Sequence, residues 1–372
     1  MKTTDARMRV AEFVLPGHPD KVADAIADRI VAAALARDPI ASAGIEVAVH
    51  RSLTVVTGCV VGAGASGLDV RALVEEVHTG ILGPDRRGEP GRCVIELEAR
   101  DLTTGELASR GHVACDQSIV TGWASTVPGT DALPVEHAVA RRIAIALWHL
   151  HIARRDLSLG PDGKVFVAIR ETGAGGDVTW AVNDVTVSIQ HQRGWDEPAS
   201  RRAIADAVAL ALDEACDAIP GLSLANGART PHVNPGGPYF IGGTHSDNGL
   251  SGKKLAVDFY GPHVPIGGGA LSGKDFASVD RAGALVARDL ALRIVAGWWG
   301  ARTCEVTLEI RPGDEAFRVA RVISDDGARF DLGEVSSHVD LGVGSRLDWP
   351  FRHGALTEVA RWGHFAPLPT FT

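Results

Sequence analysis

The chain has no excess of positive charge, no paired cysteines and no long apolar run, and each absence narrows what it does. Its formal net charge is −9 over 372 residues. A principal role on a nucleic-acid backbone needs a basic surface and is excluded. The five cysteines, Cys59, Cys93, Cys115, Cys216 and Cys304, form no C-x-x-C pair. Odd in number and widely scattered, they read as reduced, mostly buried thiols. No uncharged apolar stretch approaches the ~20 residues of a membrane span. The segment MKTTDARMRVAEF carries no apolar h-region, so no secretory signal is expected. The reading is a cytoplasmic protein with no membrane partner.

Hydrophobic residues make up 45% and charged residues 22%, an ordinary globular balance. The length exceeds one core and predicts two or three domains. A helix is expected after Pro19, with Asp20 as its cap, because Val22, Ala23, Ile26, Ile30 and Ala34 recur at helical spacing. It should stop near Asp38-Pro39. Residues 45–61 read as two strands, 69–81 as a helix, 92–98 as a strand and 100–114 as a polar, mobile loop. A helix at 135–155 is followed by strands at 164–170 and 178–189, joined by a turn at Gly173–Asp177. A helix near 198–216 precedes a glycine-rich stretch from 234 to 275, with a short strand at Leu255–Tyr260. A helix at 279–298 and a strand at 303–310 complete the pattern. Strands and helices alternate in this way roughly three times, which predicts three similar α+β units and not one wound parallel sheet.

Four constellations carry chemistry. Gly17-His18-Pro19-Asp20-Lys21 stands at a helix mouth, where free N–H groups favour an anion. The alternative is a capped helix with a surface histidine. Asp116-Gln117-Ser118 reads as a buried polar pair, either a structural network or a ligand clamp. Pro161-Asp162-Gly163-Lys164 is a strong turn signal with a strand-starting lysine, and no role for Lys164 follows from the turn itself.

The fourth constellation is the richest. It runs from Asn234 to Gly243, on through Ser246–Lys254, and then through Gly267–Asp275. Glycines let a backbone approach a ligand and turn its N–H groups to phosphate oxygens. A flexible linker would not be interrupted by Ile241, Leu250 and an apolar segment, so polyphosphate binding is the favoured reading. GGGALSGKD is not a Walker A loop, because Asp275 stands where Ser or Thr is required. Asp280 is either an ordinary acid of a first helical turn or a magnesium ligand.

Together these segments resemble the S-adenosylmethionine synthetases, also called methionine adenosyltransferases. GHPDK with the following VADAIAD helix, the DQS segment, and FIGG…SDNGLSGKKLAVDFYG…GGGALSGKD…VDR each resemble a signature of that family. The similarity runs from about Glu12 to His364. It implies three structurally similar α+β domains in a pseudo-threefold arrangement, over 8–100, 112–228 and 229–368. It implies a homodimer or homotetramer with active sites between subunits. It also implies an ATP-dependent adenosyltransferase: a thioether attacks C5′ of ATP, and the released triphosphate is cleaved to pyrophosphate and phosphate.

The resemblance extends to individual residues. His18, Lys164 and Lys274 would be catalytic, with His18 near the ribose O5′. The ATP and triphosphate set would be Glu12, His18, Asp116, Asp162, Lys164, Tyr239 stacked on adenine, Asp247, Lys253, Lys254 and Lys274. Asp20 and Asp280 would hold two Mg2+ per site, and Glu46 would hold K+. The acceptor would meet Cys59, Asp116, Asp247, Ser278 and Ile310.

Departures concentrate on that acceptor. Where the family has a glutamate for the methionine ammonium, this chain has Cys59, within Thr57-Gly58-Cys59. Where it has a lysine for the methionine carboxylate, this chain has Ser278. No glutamine matching the family's active-site loop lies between Val94 and Asp116. Charge-assisted hydrogen bonds of this kind contribute ~1.5–3 kcal/mol each, so an acceptor with a masked or missing amino-acid head is one expectation. Milder changes put Pro238 and Lys253 where the family has arginines, and Pro16 where it has an acid. A triphosphatase without an organic acceptor and a non-catalytic partner of an active synthetase are the competing readings. The presence of His18, Lys164, Lys274 and both metal acids weighs against the latter.

Overall fold

A computed structural model describes residues 6–82, 91–101, 113–173, 177–298, 301–325, 327–346 and 355–370. Three antiparallel-rich sheets, each with helices on one face, make a mixed α+β fold. The first sheet contains β1 (Ala6–Val14), β6 (Leu159–Thr172), β7 (Thr179–His191) and β8 (Leu222–Leu224) in that order, with β9 (His232–Val233) also on β7. The second runs β10 (Gly249–Leu250), β2 (Ser42–His50), β3 (Leu53–Val61) and β4 (Arg92–Arg100). The third is β12 (Arg318–Ser324), β11 (Thr303–Ile310) and β5 (Ser118–Ser125). Each sheet draws strands from more than one of the spans 8–100, 112–228 and 229–368. The units are therefore interleaved along the chain.

Alternation along the strands fixes which face is covered. In β2, Ala43, Ile45, Val47 and Val49 are buried while Gly44, Glu46 and His50 are exposed. The covered face packs on α1 (Pro19–Arg37) and α2 (Val70–Leu82). The first sheet packs on α3 (Val135–Ala153), which in turn meets α4 (Glu197–Ala218). The third packs on α6 (Val279–Arg293) and has its own apolar core around Val120, Val286, Leu290, Val306 and Phe317. The four-residue α5 (Leu255–Asp258), α7 (Leu332–Ser337) and α8 (Leu356–Trp362) complete the described helices used below. Among the described residues, no helix is long and apolar enough to cross a membrane.

Several expectations change. His18, not Asp20, caps α1: its Nδ1 accepts the Asp20 N–H at 3.2 Å, and Pro19 takes the first helical position. Leu255–Tyr260 is not a strand. Val257 and Asp258 donate their amides back to the Lys254 carbonyl, giving α5, and a short apolar run cannot by itself distinguish the two. Pro161-Asp162-Gly163 is not a turn but an irregularity inside β6, where the register with β7 shifts between Leu159 and Gly163. No disulfide joins the five cysteines, but only Cys304 is buried, and Cys115 is exposed. The helix expected to reach residue 298 leaves α-geometry after Arg293. Most of the 100–114 loop and the middle of the 173–177 turn lie outside the described residues.

Candidate active site

The N-terminus of α1 gathers one cluster. β1 runs into it through Leu15, whose amide donates to Gly163, and Gly17, whose amide donates to Pro161 at 3.0 Å. A side chain at Gly17 would lie 2.5 Å from the Pro161 backbone, so only glycine lets the two segments touch. This contact sets His18 beside the Asp162–Lys164 segment. Asp20 sits at the second position of α1 and is almost wholly buried. One of its oxygens accepts from the Leu250 amide at 3.0 Å, the other from Lys254 Nζ at 2.8 Å, and Lys253 Nζ stands 3.9 Å away. Asp162 accepts from Tyr239 Oη at 2.5 Å and from the Gly243 amide at 2.7 Å, both on one oxygen, while its second oxygen is buried beside the Gly163 amide. That second oxygen keeps acceptor capacity that a ligand hydroxyl or amine could use. Asp247 lies at the rim with its carboxylate turned to the Asn248 amide at 2.8 Å.

Charges shift accordingly. Burial, with Lys254 alongside, pushes His18 down to about 3, so the ring is neutral at ordinary pH. Its Nδ1 is occupied as an acceptor, which leaves the proton on Nε2. Burial alone would raise Asp20, but the hydrogen bond from Lys254 and the Leu250 amide hold it below the usual range. Burial raises both Asp162 and Tyr239.

A second cluster forms at the start of α6. Asp280 is the second residue of that helix, after the cap Ser278. It accepts from Ser118 Oγ at 2.6 Å and from Lys274 Nζ at 2.5 Å. A cleft of about 960 Å³ opens over it, lined by Glu46, Gln117, Gly267–Gly269, Lys274, Asp280 and Ile310 among others. That volume suits a nucleotide-sized ligand. Glu46 accepts from Ser251 Oγ at 2.8 Å and so borders both clusters. Cys59 pairs in register with Gly44, and Gly44 bridges to Lys274.

The structure thus brings His18, Asp20, Asp162, Tyr239 and Lys254 together, and separately Glu46, Lys274, Asp280 and Ile310. Asp20 and Asp280 have different partners. Asp116 and Gln117 are exposed, contrary to the expected buried pair; the Asp116 carboxylate accepts the Gln117 amide at 2.7 Å, and Ser118 is the buried member. Glu12 and Lys164 lie on the exposed face of the first sheet.

Sequence reasoning missed the layer beneath. Asp24, Asp28 and Arg281 are buried and hold the two lysine loops through the Gly252 amide, the Gly273 amide and the Lys274 carbonyl, and the buried Asp258 pairs with Lys21. The signal was available: Asp20, Asp24 and Asp28 recur every four residues in a helix otherwise apolar on that side.

The family model described as "S-adenosylmethionine synthetase, N-terminal domain" matches residues 6–81, and that described as "S-adenosylmethionine synthetase, C-terminal domain" matches residues 241–316. The S-adenosylmethionine synthase of Prochlorococcus marinus (strain NATL2A) is 33% identical over 350 residues, covering 88% of this chain and 81% of that protein. S-adenosylmethionine synthase 1 of Rhodospirillum rubrum is 31% identical over 383 residues, covering 95% and 92%. The S-adenosylmethionine synthase of Synechococcus elongatus is 32% identical over 357 residues, covering 90% and 82%.

Proposed function

This chain belongs to the S-adenosylmethionine synthetase family, and from that premise we propose that it transfers the adenosyl group of ATP to the sulfur of methionine. The supporting observation is the convergence of His18, Asp20, Asp162, Tyr239 and Lys254 at the mouth of α1. The sulfur lone pair forms the S–C5′ bond while the C5′–O5′ bond breaks, and its electron pair leaves on the triphosphate. The protein's task is to meet that developing negative charge.

Lys253, Lys254, Lys164 and Lys274 are the cations for it. Lys254 and Lys274 now rest on Asp20 and Asp280. The polyphosphate would draw each lysine across and free the carboxylate beside it. Those hard oxygen donors, one carboxylate plus phosphate oxygens, are the set Mg2+ takes. Asp20 and Asp280 would hold the ions, which supply further charge stabilisation to the leaving group. Neutral His18, with its proton on Nε2, would donate a hydrogen bond to O5′. Tyr239 would lie against the adenine, Asp162 and Asp247 against the ribose and acceptor side, Asp116 and Glu12 at the rim, and Glu46 would hold K+.

The two acid–lysine pairs have separate surroundings, and Glu12, Lys164, Glu46 and Cys59 lie on sheet faces that no described helix covers. Both features support a homodimer in which one subunit's α1 cluster faces the partner's α6 cluster. Unbridged, partly exposed thiols suit a reducing cytoplasm.

The direct test is mass spectrometry of products from ATP, Mg2+ and methionine. S-adenosylmethionine with pyrophosphate and phosphate is expected. Phosphate release without a sulfonium would replace this reading with a triphosphatase.

A further inference from the structure

Three carboxylates stand every fourth residue along α1, and each ends on a backbone amide of a glycine-rich loop. Asp20 accepts from Leu250 at 3.0 Å, Asp24 from Gly252 at 2.8 Å and Asp28 from Gly273 at 2.9 Å. Gly252 directly precedes Lys253-Lys254, and Gly273 precedes Lys274. A side chain at Gly252 would meet Ala270 Cβ at 2.5 Å, so this residue is also where the first lysine loop touches the second.

Asp24 differs from its neighbours on the ladder. Asp28 is gripped by the Arg281 guanidinium, one nitrogen reaching both its oxygens at 2.8 and 2.7 Å. Lys21 reaches Asp24 at 3.3 Å, but it also binds Asp258 more closely and donates to the Ala360 carbonyl at 2.8 Å. The buried cations Lys21 and Arg281 therefore face three buried carboxylates, Asp24, Asp28 and Asp258. The carboxylates outnumber the cations by one, and Lys21 has Asp258 as its closer partner. What Asp24 does have alone is the Gly252 amide.

We propose that Asp24 is a positioning residue for adenosyl transfer: a buried acceptor that fixes Gly252, and through it the place of Lys254 against the triphosphate and of the first lysine loop against the second. This rests on the adenosyl-transfer reading above.

Asp24→Leu keeps the side chain's shape, removes the acceptor and leaves Lys21 with Asp258 and the Ala360 carbonyl. Its thermal midpoint should fall modestly, because the Gly252 N–H loses its acceptor. Its kcat for S-adenosylmethionine formation should fall about 100-fold, the scale of a ~1 Å misplacement, with the KM for ATP changing far less. Asp24→Asn keeps an oxygen for the Gly252 amide and should recover most of that loss. A folded Leu variant with parental kcat overturns the inference. So do Leu and Asn variants that are equally impaired, because charge and not the amide contact would then matter. A Leu variant that fails to fold while Asn behaves as parent also overturns it, in favour of a purely structural role. A parent that forms no sulfonium is distinguishable from all of these, and removes the functional reading and this one together.

Discussion

Asp20 and Asp280 occupy the same place in two different helices, the second residue of α1 and of α6, and each carries a lysine ammonium on one oxygen. Lys254 stands 2.8 Å from the first and Lys274 2.5 Å from the second. Anionic side chains are favoured at a helix start, and the lysines complete each as a neutral pair. A polyphosphate with its metal ions would exchange partners at both places. This repetition explains why two lysine-bearing glycine loops exist.

If the two pairs complete one site across a subunit boundary, inactive variants should complement each other. Lys254→Ala and Lys274→Ala should each lose most turnover, by about 10²–10³ in kcat, the scale for removing a preorganised charge contact. Mixing the two, unfolding and refolding together, should restore activity well above either alone, since some dimers then contain one site with neither change. Activity that stays at the level of the separate variants rejects a shared site.

Adjacent glycines give a controlled comparison. A Cβ at Gly269 would fall 2.0 Å from the Asp280 carboxyl carbon, whereas one at Gly268 meets nothing within 4 Å. Gly269→Ala should displace that carboxylate and raise the Mg2+ concentration for half-maximal rate by at least about tenfold, as loss of one charged contact of ~1.5–3 kcal/mol would. Gly268→Ala should leave it near the parent value. Equal behaviour of the two variants would detach Asp280 from metal binding.

The acceptor side should bind methionine weakly. Cys59 and Ser278 offer no charge to an amino-acid head, although Cys59 lies beside the Gly44–Lys274 bridge and Ser278 directly precedes the helix of Asp280. The double substitution Cys59→Glu with Ser278→Lys should lower the KM for methionine by roughly tenfold or more, from ~1.5–3 kcal/mol per charged contact. A thioether lacking the amino-acid head should lose rate in that variant. Parental methionine saturation at micromolar levels, unmoved by the change, would refute the expectation.

Stability against pH should have opposing parts. Burial, then Arg141, pushes His137 down to about 3, and burial, then Arg155, pushes His151 down to about 4. With unfolded values near 6.5, their contribution is whole above that pH and is lost as pH falls from 6.5 toward 3. Asp24 works the other way. Burial raises it to about 7 against Lys21 on its own helix, with Asp258 on α5 facing it and Asp28, Arg281 and His364 in the same buried group. The folded state then holds a proton that the unfolded state has released, so stability falls as pH rises from about 4 to 7. Thermal midpoints of Asp24→Asn should gain on the parent across that window, and those of His137→Leu should lose less than the parent on acidification. Parallel curves for all three would contradict both assignments.

Lys21 offers a test of the buried network. Removing it leaves Asp24 and Asp258 without their cation, so Lys21→Met should cost about 3–5 kcal/mol, the range for breaking a buried pair by removing one partner. Denaturant midpoints would read this directly.

Much of the local structure was legible. The helical spacing of Val22, Ile26 and Ile30 and the stop at Asp38-Pro39 gave α1, and alternation gave β2, β3 and β11. The strand at Ala6–Val14 was missed because it is exposed at its start and its partner, β6, begins more than 140 residues later. The segment Leu255–Asp258 was misread because its burial comes from neighbours distant in sequence, not from its own period.

The sequence by itself determined which residues carry charge at the helix mouths, where glycines let the chain approach itself, and which family this is. Only the tertiary structure decided that β1, β5 and β10 join sheets built mainly from other parts of the chain, and that Asp24 rather than Asp20 holds Gly252. The physical reason is that periodicity and capping are written in neighbours a few residues apart. Which buried amide meets which buried carboxylate depends on chain segments more than 200 residues apart being folded into contact.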